Sequence, residues 1–192
     1  MQRDDEELVR LHLQGDRYAF RELVDRYTRP LYNLAYRYTG DRMEAENISQ
    51  ETFLRVYQAL PVSRLDLPFK PWLLRIAANL CRDWARKKRP DLFSHLAGEE
   101  EGQPSIIEEW VDGRPLPLDR VETQELAEML RRAVMELPEP YRMVITLRYT
   151  EGLSYQEIAT IQEIPVNTVR THLFRAKTLL RQILERSLGG EA

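Results

Sequence analysis

LSYQEIATIQEIPVNTVRTHLFRAKTLLR, residues 153–181, is the stretch on which the reading of the fold turns. Ser154, with Glu157 three residues on, makes a Ser-x-x-Glu capping box that opens a helix. Pro165 lacks a backbone donor and belongs in the first turn of a new helix, not inside an old one. In that second helix Val169, Leu173, Ala176, Leu180 and Ile183 recur at steps of four, three, four and three, which predicts one buried face. Arg170, Phe174, Lys177 and Arg181 keep the same spacing on another face, flanked by Thr171 and Arg175. A solvated helix has no use for an aromatic ring among arginines, whereas a helix in a DNA major groove can use both. The pattern predicts a helix-turn-helix with a recognition helix. A helical hairpin with a merely soluble basic face, Phe174 being part of a wide apolar stripe, would carry the same spacing.

A second basic and aromatic helix weighs against that plainer reading. PFKPWLLRIAANLCRDWARKKRP, residues 68–90, places Phe69, Leu73, Ile76, Leu80 and Trp84 along a seam, and Pro90 stops the run. Arg75, Asn79, Arg82 and Arg86 share a different face, with Trp72 one turn before Arg75. Arginines can hold the phosphates of a strand, an aromatic ring can stack on an unpaired base, and an asparagine can read a base edge. Taken singly, Trp72 and Trp84 could be core and Arg86 to Arg89 a solvated charge run. Their conjunction on one helix argues for nucleic acid.

Three blocks, EAENISQETFLRVYQAL (44–60), residues 68–90 and LPEPYRMVITLRYTEGLSYQEIATIQEIPVNTVRTHLFRAK (137–177), resemble in sequence, order and separation the bacterial sigma-70 family, specifically its two-domain, extracytoplasmic-function kind. The resemblance implies an all-α chain of two small helical domains joined by a flexible acidic linker. Residues 1–90 would bind core RNA polymerase and recognise and melt the −10 element, 91–119 would be the linker, and 120–192 a helix-turn-helix domain for the −35 element. It also implies that Gln50, Glu51, Leu54 and Arg55 dock on the coiled coil of the largest polymerase subunit. The C-terminal domain would meet the flap region.

By the same resemblance Trp72 and Asn79 occupy the aromatic and base-reading positions for the opened −10 strand, beside Arg75, Arg82 and Arg86. Residues 61–70 form a proline-containing loop that would hold a flipped base, and Arg64 lies in it. Arg170, Thr171, Phe174, Arg175 and Lys177 would face the −35 duplex. His172 stands where the family usually has Arg or Lys, which implies an altered −35 preference. An anti-sigma factor is the expected inhibitor, and the absence of an extra domain before Ala192 implies that no attached domain regulates the chain.

Local charge agrees with this division. The net charge of −3 over 192 residues looks unsuited to a DNA binder, but residues 61–90 hold eight basic and two acidic groups, and 91–125 hold two basic and ten acidic. Where a polyanion docks depends on the local balance. Residues 91–119 contain three glycines, three prolines and Glu99-Glu100-Glu101, without sustained periodicity, and so read as a linker. Its Ile106, Ile107, Trp110 and Val111 are too apolar for a passive spacer; a small flap over one domain is the alternative to the family's path through the polymerase.

Elsewhere, Phe20 to Tyr38 keep helical spacing through Pro30, which predicts a bend or a junction there. A helix from about Met43 to Leu60 should bury Ile48, Phe53, Val56 and Leu60. Val121 to Leu137 and Tyr141 to Thr150 should be the first two helices of the C-terminal domain.

No apolar run approaches the roughly 20 residues that span a bilayer, and the acidic start MQRDDEELVR is no signal peptide. Cys81 is the single cysteine, so no disulfide framework exists and a reducing cytoplasm is expected, with nucleoid association when polymerase-bound. His12, His95 and His172 are scattered, which predicts no metal site and no cofactor. No nucleophile constellation or phosphate-binding glycine loop suggests an enzyme. Two function classes remain: a promoter-specificity subunit of RNA polymerase, or a helix-turn-helix repressor or activator that binds duplex without core polymerase. Trp72 and Asn79 on one basic helix separate them, since a reader of duplex alone has no use for a strand-stacking platform.

Overall fold

A computed structural model describes residues 3–61, 68–88 and 124–189. Among these residues every regular element is a helix: α1 (Asp5–Leu13), α2 (Arg17–Thr39), α3 (Arg42–Ala59), α4 (Phe69–Lys88), α5 (Gln124–Glu136), α6 (Glu139–Tyr149), α7 (Tyr155–Gln162) and α8 (Val166–Gly189). The fold is all-α. Arg64 and the 91–119 linker lie outside the described residues.

Short-range chemistry sets the helix starts. Asp4, Asp16 and Asp41 each accept a bond from a backbone N–H in the first turn that follows, from Glu7 at 2.7 Å, Tyr18 at 2.8 Å and Glu44 at 3.2 Å. At Ser154 the expected capping box is complete: Glu157 N–H donates to Ser154 Oγ at 3.2 Å, and Ser154 N–H donates to Glu157 Oε2 at 2.7 Å. Gly40 ends α2 in the left-handed region, φ +70°. A Cβ at Gly40 would lie 2.9 Å from Met135 Cε of α5, so both conformation and close approach favour glycine.

Helix α2 continues through Pro30 without the junction that the sequence allowed. One lost backbone bond is outweighed by an apolar face that includes Leu23, Tyr27, Leu31, Leu34 and Tyr38, all buried. Ion pairing adds to this packing: Arg26 Nη1 lies 2.5 Å from Asp5 Oδ1, and Tyr27 Oη donates to the same carboxylate, tying α1 to α2. Glu6 of α1 accepts from the Phe69 N–H at 3.3 Å and so caps the start of α4.

In α4 the buried surface is wider than the expected seam. Phe69, Leu73 and Leu80 are buried as read, but so are Leu74, Ala77, Ala78 and Cys81, while Ile76 and Trp84 are half-buried. The cause is position. α4 packs against α1, α2 and α3 on one side and against α6 and α7 on the other. Across α5 to α8, Leu130, Leu137, Met143, Ile145, Ile158 and Ile161 close a core over Val169, Leu173, Ala176, Leu180 and Ile183, the face that the four-three spacing marks.

Candidate nucleic-acid interface

Two surfaces carry the residues singled out for nucleic acid. On α4, Trp72, Arg75, Asn79 and Arg82 form one half-buried stripe, with Arg86 exposed at its end. The Trp72 ring leans on Phe69, centroids 6.1 Å apart at 52°, which fixes one edge and leaves part of the ring in solvent. Asn79 Oδ1 accepts from Arg82 Nη2, and Arg86 Nη2 donates to Asp83 Oδ1 at 2.9 Å. These contacts hold the amide and guanidinium groups in place along the helix. Arg86, Lys87 and Lys88 form the last turn, where the helix dipole favours cations. Lys88 Nζ sits 4.8 Å from the Trp84 ring centroid. Arg75 is engaged: it pairs with Glu163 of the helix-turn-helix.

The second surface is α8. Arg170, Phe174 and Arg175 are exposed, Phe174 by 51% despite its apolar ring. That exposure excludes the core role that its spacing had left open. Thr171 directs its hydroxyl to the Asn167 carbonyl at 3.0 Å. Lys177 lies half-buried, Nζ 5.8 Å from the Tyr149 ring centroid.

His172 is turned inward. Its ring is half-buried, edge-on to Tyr141 at 5.3 Å and 70°. Nδ1 is buried without a hydrogen-bond partner. Burial first, and the neighbouring Arg175 charge second, push its pKa below the usual histidine value and keep it neutral. Arg175 Nη1 also donates to Tyr141 Oη at 3.3 Å, so Tyr141 braces this side of the helix.

A third surface lies on α3. Gln50, Leu54 and Arg55 are exposed and Glu51 half-exposed, with Arg55 Nε donating to Glu51 Oε1 at 2.8 Å. Leu54 is 56% exposed and Tyr57, one turn on, 54%. The sequence reading passed over Tyr57. Its ring meets His12 at 5.4 Å and Phe20 at 5.1 Å, extending the exposed apolar surface around Leu54 onto α1 and α2. Continuing the Gln50–Leu54 spacing by three residues would have marked it. No helix among the described residues is long and apolar enough to cross a membrane.

Comparison with known proteins places these surfaces in context. Residues 23–90 match the family model described as Sigma-70 region 2, and residues 127–180 the one described as Sigma-70, region 4. The chain is 40% identical over 173 residues to the ECF RNA polymerase sigma factor SigW of Bacillus subtilis, covering 89% of this chain and 91% of that protein. Against the RNA polymerase sigma-H factor of Pseudomonas aeruginosa identity is 35% over 189 residues, 96% of this chain and 95% of that one. Against the ECF RNA polymerase sigma-E factor of Escherichia coli K12 it is 38% over 179 residues, 90% of each. Among solved structures, CnrH in complex with the cytosolic domain of CnrY shares the fold at TM-score 0.66 and 24% identity, covering 98% of this chain and 99% of that one. RpoE of Bartonella quintana, solved with the anti-sigma factor NepR, matches at TM-score 0.62 and 19% identity, over 86% and 96%.

Proposed function

This chain belongs to the sigma-70 family as an RNA polymerase sigma factor of the extracytoplasmic-function type, and from that premise we propose which residues perform each task. Residues 1–90 engage core polymerase and the −10 element, 91–119 link, and 120–192 engage the −35 element. Gln50, Glu51, Leu54 and Arg55 on α3 dock on the coiled coil of the largest polymerase subunit, while the C-terminal domain meets the flap region. Leu54 supplies the apolar contact there, since an exposed leucine between polar neighbours gains most from being covered.

On the −35 duplex, Arg170 and Arg175 reach base edges or phosphates and Phe174 packs against the groove wall. Thr171 and Lys177 contact the backbone, and His172 contributes a neutral edge in place of a cation. On the opened −10 strand, Trp72 stacks, Asn79 reads a base, and Arg75, Arg82 and Arg86, with Arg64 from the adjoining loop, hold phosphate. The observation that carries this reading is the α4 stripe, in which a half-exposed tryptophan and an asparagine alternate with arginines.

Sigma factors act by binding, and no chemical step is needed here. Affinity for the opened strand draws the duplex-to-open equilibrium towards the open state. Two of the matched structures are complexes in which a second protein is bound, one of them an anti-sigma factor by name, and an inhibitor of that kind acts on this chain too. The chain works in the cytoplasm, at the nucleoid when polymerase-bound. Run-off transcription and gel shift on a genomic promoter library, with and without core polymerase, test the assignment. Promoter-specific transcripts should appear only with both proteins. Tight sequence-specific duplex binding by the chain alone, indifferent to core polymerase, would refute it.

A further inference from the structure

The start of α6 lies against the flank of α8 that carries Arg175. Tyr141 of α6 presents its ring edge-on to His172, centroids 5.3 Å apart at 70°, and its Oη accepts from Arg175 Nη1 at 3.3 Å. His172 and Arg175 stand three residues apart and so are neighbours on one side of α8. A single tyrosine therefore meets both. The base on which it stands is stiff. Pro138 precedes the first turn of α6 and Pro140 lies within it, where a fixed φ suits a helix start. The adjacent Arg142 donates from Nη2 to the Met135 and Leu137 carbonyls at 2.6 and 2.9 Å, which ties that start to the end of α5.

We propose that Tyr141 is a positioning residue for −35 recognition: its ring is seated against His172, and its hydroxyl presets the Arg175 guanidinium for one base pair of the duplex. The inference rests on the reading of α8 as the recognition helix, and it places a determinant of specificity outside that helix. A guanidinium carries five N–H donors, so one bond to Tyr141 is compatible with a bidentate grip on two acceptors of a base. Ordering a long, exposed side chain at the moment of binding costs conformational entropy, and a brace already in place removes part of that cost. It also sharpens discrimination, because a guanidinium held in one place does not swing to a neighbouring base or phosphate when the base is wrong.

The opposite end of α6 treats its cation differently. Lys177 Nζ lies 5.8 Å from the Tyr149 ring centroid, and a ring face attracts a cation without fixing where its donors point. Arg175 is oriented, whereas Lys177 is only retained. The neutral state of His172, set by burial first and by the Arg175 charge second, spares Arg175 a like charge at its side.

The test is Tyr141→Phe in the full chain with core polymerase, which keeps the ring against His172 and removes the acceptor. Binding is measured on a promoter and its −35 point variants, beside Arg170→Ala, Arg175→Ala and the Tyr141→Phe/Arg175→Ala double variant. The base pair at which Arg175→Ala loses discrimination defines the target of Arg175. At that pair Tyr141→Phe should lower discrimination about two- to tenfold, the range of one part-exposed hydrogen bond. At the pair lost in Arg170→Ala it should match the parent, and in the Arg175→Ala background it should change nothing further. Nitrogen-15 relaxation of Arg175 Nε in the unbound full chain should report a more mobile guanidinium in Tyr141→Phe, at an unchanged urea midpoint. An equal loss from Tyr141→Phe with alanine at 175 would mean that Tyr141 meets the DNA itself, and would overturn the positioning role. Parental discrimination in Tyr141→Phe while Arg175→Ala is impaired would overturn it too, as would a loss in Arg175→Ala that is uniform across all −35 variants. Parental behaviour of Arg175→Ala would remove the proposal together with the −35 reading of this flank of α8.

Discussion

Arg142 should be among the most costly surface-reachable residues to truncate. Its Nη2 donates to the carbonyls of Met135 at 2.6 Å and Leu137 at 2.9 Å, and its Nη1 to that of Tyr38 at 2.8 Å. Met135 and Leu137 lie at the end of α5, where helix carbonyls lack intrahelical donors and the dipole favours a cation. A hydrogen bond to a charged group contributes about 1.5–3 kcal/mol when protected. Arg142 is only half-buried, so water can replace part of each, and three bonds from one group do not add. The guanidinium also lies 5.6 Å from the Tyr38 ring centroid, a contact of roughly 0.5–1 kcal/mol. Arg142→Ala should therefore cost about 2–4 kcal/mol. Arg142→Lys, which loses the planar fork, should cost roughly half of that. Urea unfolding followed by far-ultraviolet circular dichroism is the assay, because residues 124–189 contain no tryptophan. With a slope of about 2 kcal/mol per molar urea, the alanine midpoint should fall by about 1–2 M. A loss below about 0.5 kcal/mol would mean that water serves those carbonyls as well as the arginine does.

The other expectations concern function and pH. Arg170→Ala and Arg175→Ala should each weaken −35 recognition by about 1–3 kcal/mol if the side chain reads a base edge; if it holds phosphate, affinity should fall evenly across sequences and the salt slope should shrink by about one unit. These are separated by measuring −35 point variants with core polymerase at two salt concentrations. His172 has a folded pKa below its ordinary value of 6.5, so the unfolded chain binds the extra proton. Its contribution is fully present above that ordinary value and is lost as pH falls below it towards the depressed folded pKa. His172→Asn should flatten the pH dependence of the urea midpoint below about 6.5, and an unchanged profile would show that the ring is not protected from protonation. Leu54→Ala should weaken association with core polymerase in a pull-down titration while changing stability by no more than about 0.5 kcal/mol, because the side chain is exposed.

The readable parts of this fold are those decided by neighbours in sequence. Ser154 and Glu157 set the start of α7 between them, Pro165 separates it from α8, and the Val169–Ile183 spacing marks the buried side of α8 without reference to any other helix. The less readable parts depend on what lies opposite. The spacing in α4 marks a single apolar seam, but packing against both α1–α3 and α6–α7 buries Leu74, Ala78 and Cys81 and leaves Ile76 and Trp84 half-covered. Pro30 carries a local instruction to interrupt α2, which the buried face from Leu23 to Tyr38 overrides. On the interface, the exposed Phe174 and the α4 stripe follow from periodicity. The inward turn of His172 against Tyr141 does not, and neither does the pairing of Arg75 with Glu163, because both join residues far apart along the chain.

Permanganate reactivity of promoter thymines tests whether α4 reads an opened strand. Trp72→Ala and Asn79→Ala, assembled with core polymerase, should lose reactivity at the −10 region of an ordinary duplex template while −35 protection persists. Loss of one stacking aromatic should cost about 1–3 kcal/mol. On a template already mismatched across the −10 region, opening costs nothing, yet the variants should still bind more weakly, because the contacts themselves are missing. Wild-type behaviour of both variants on both templates would contradict the account.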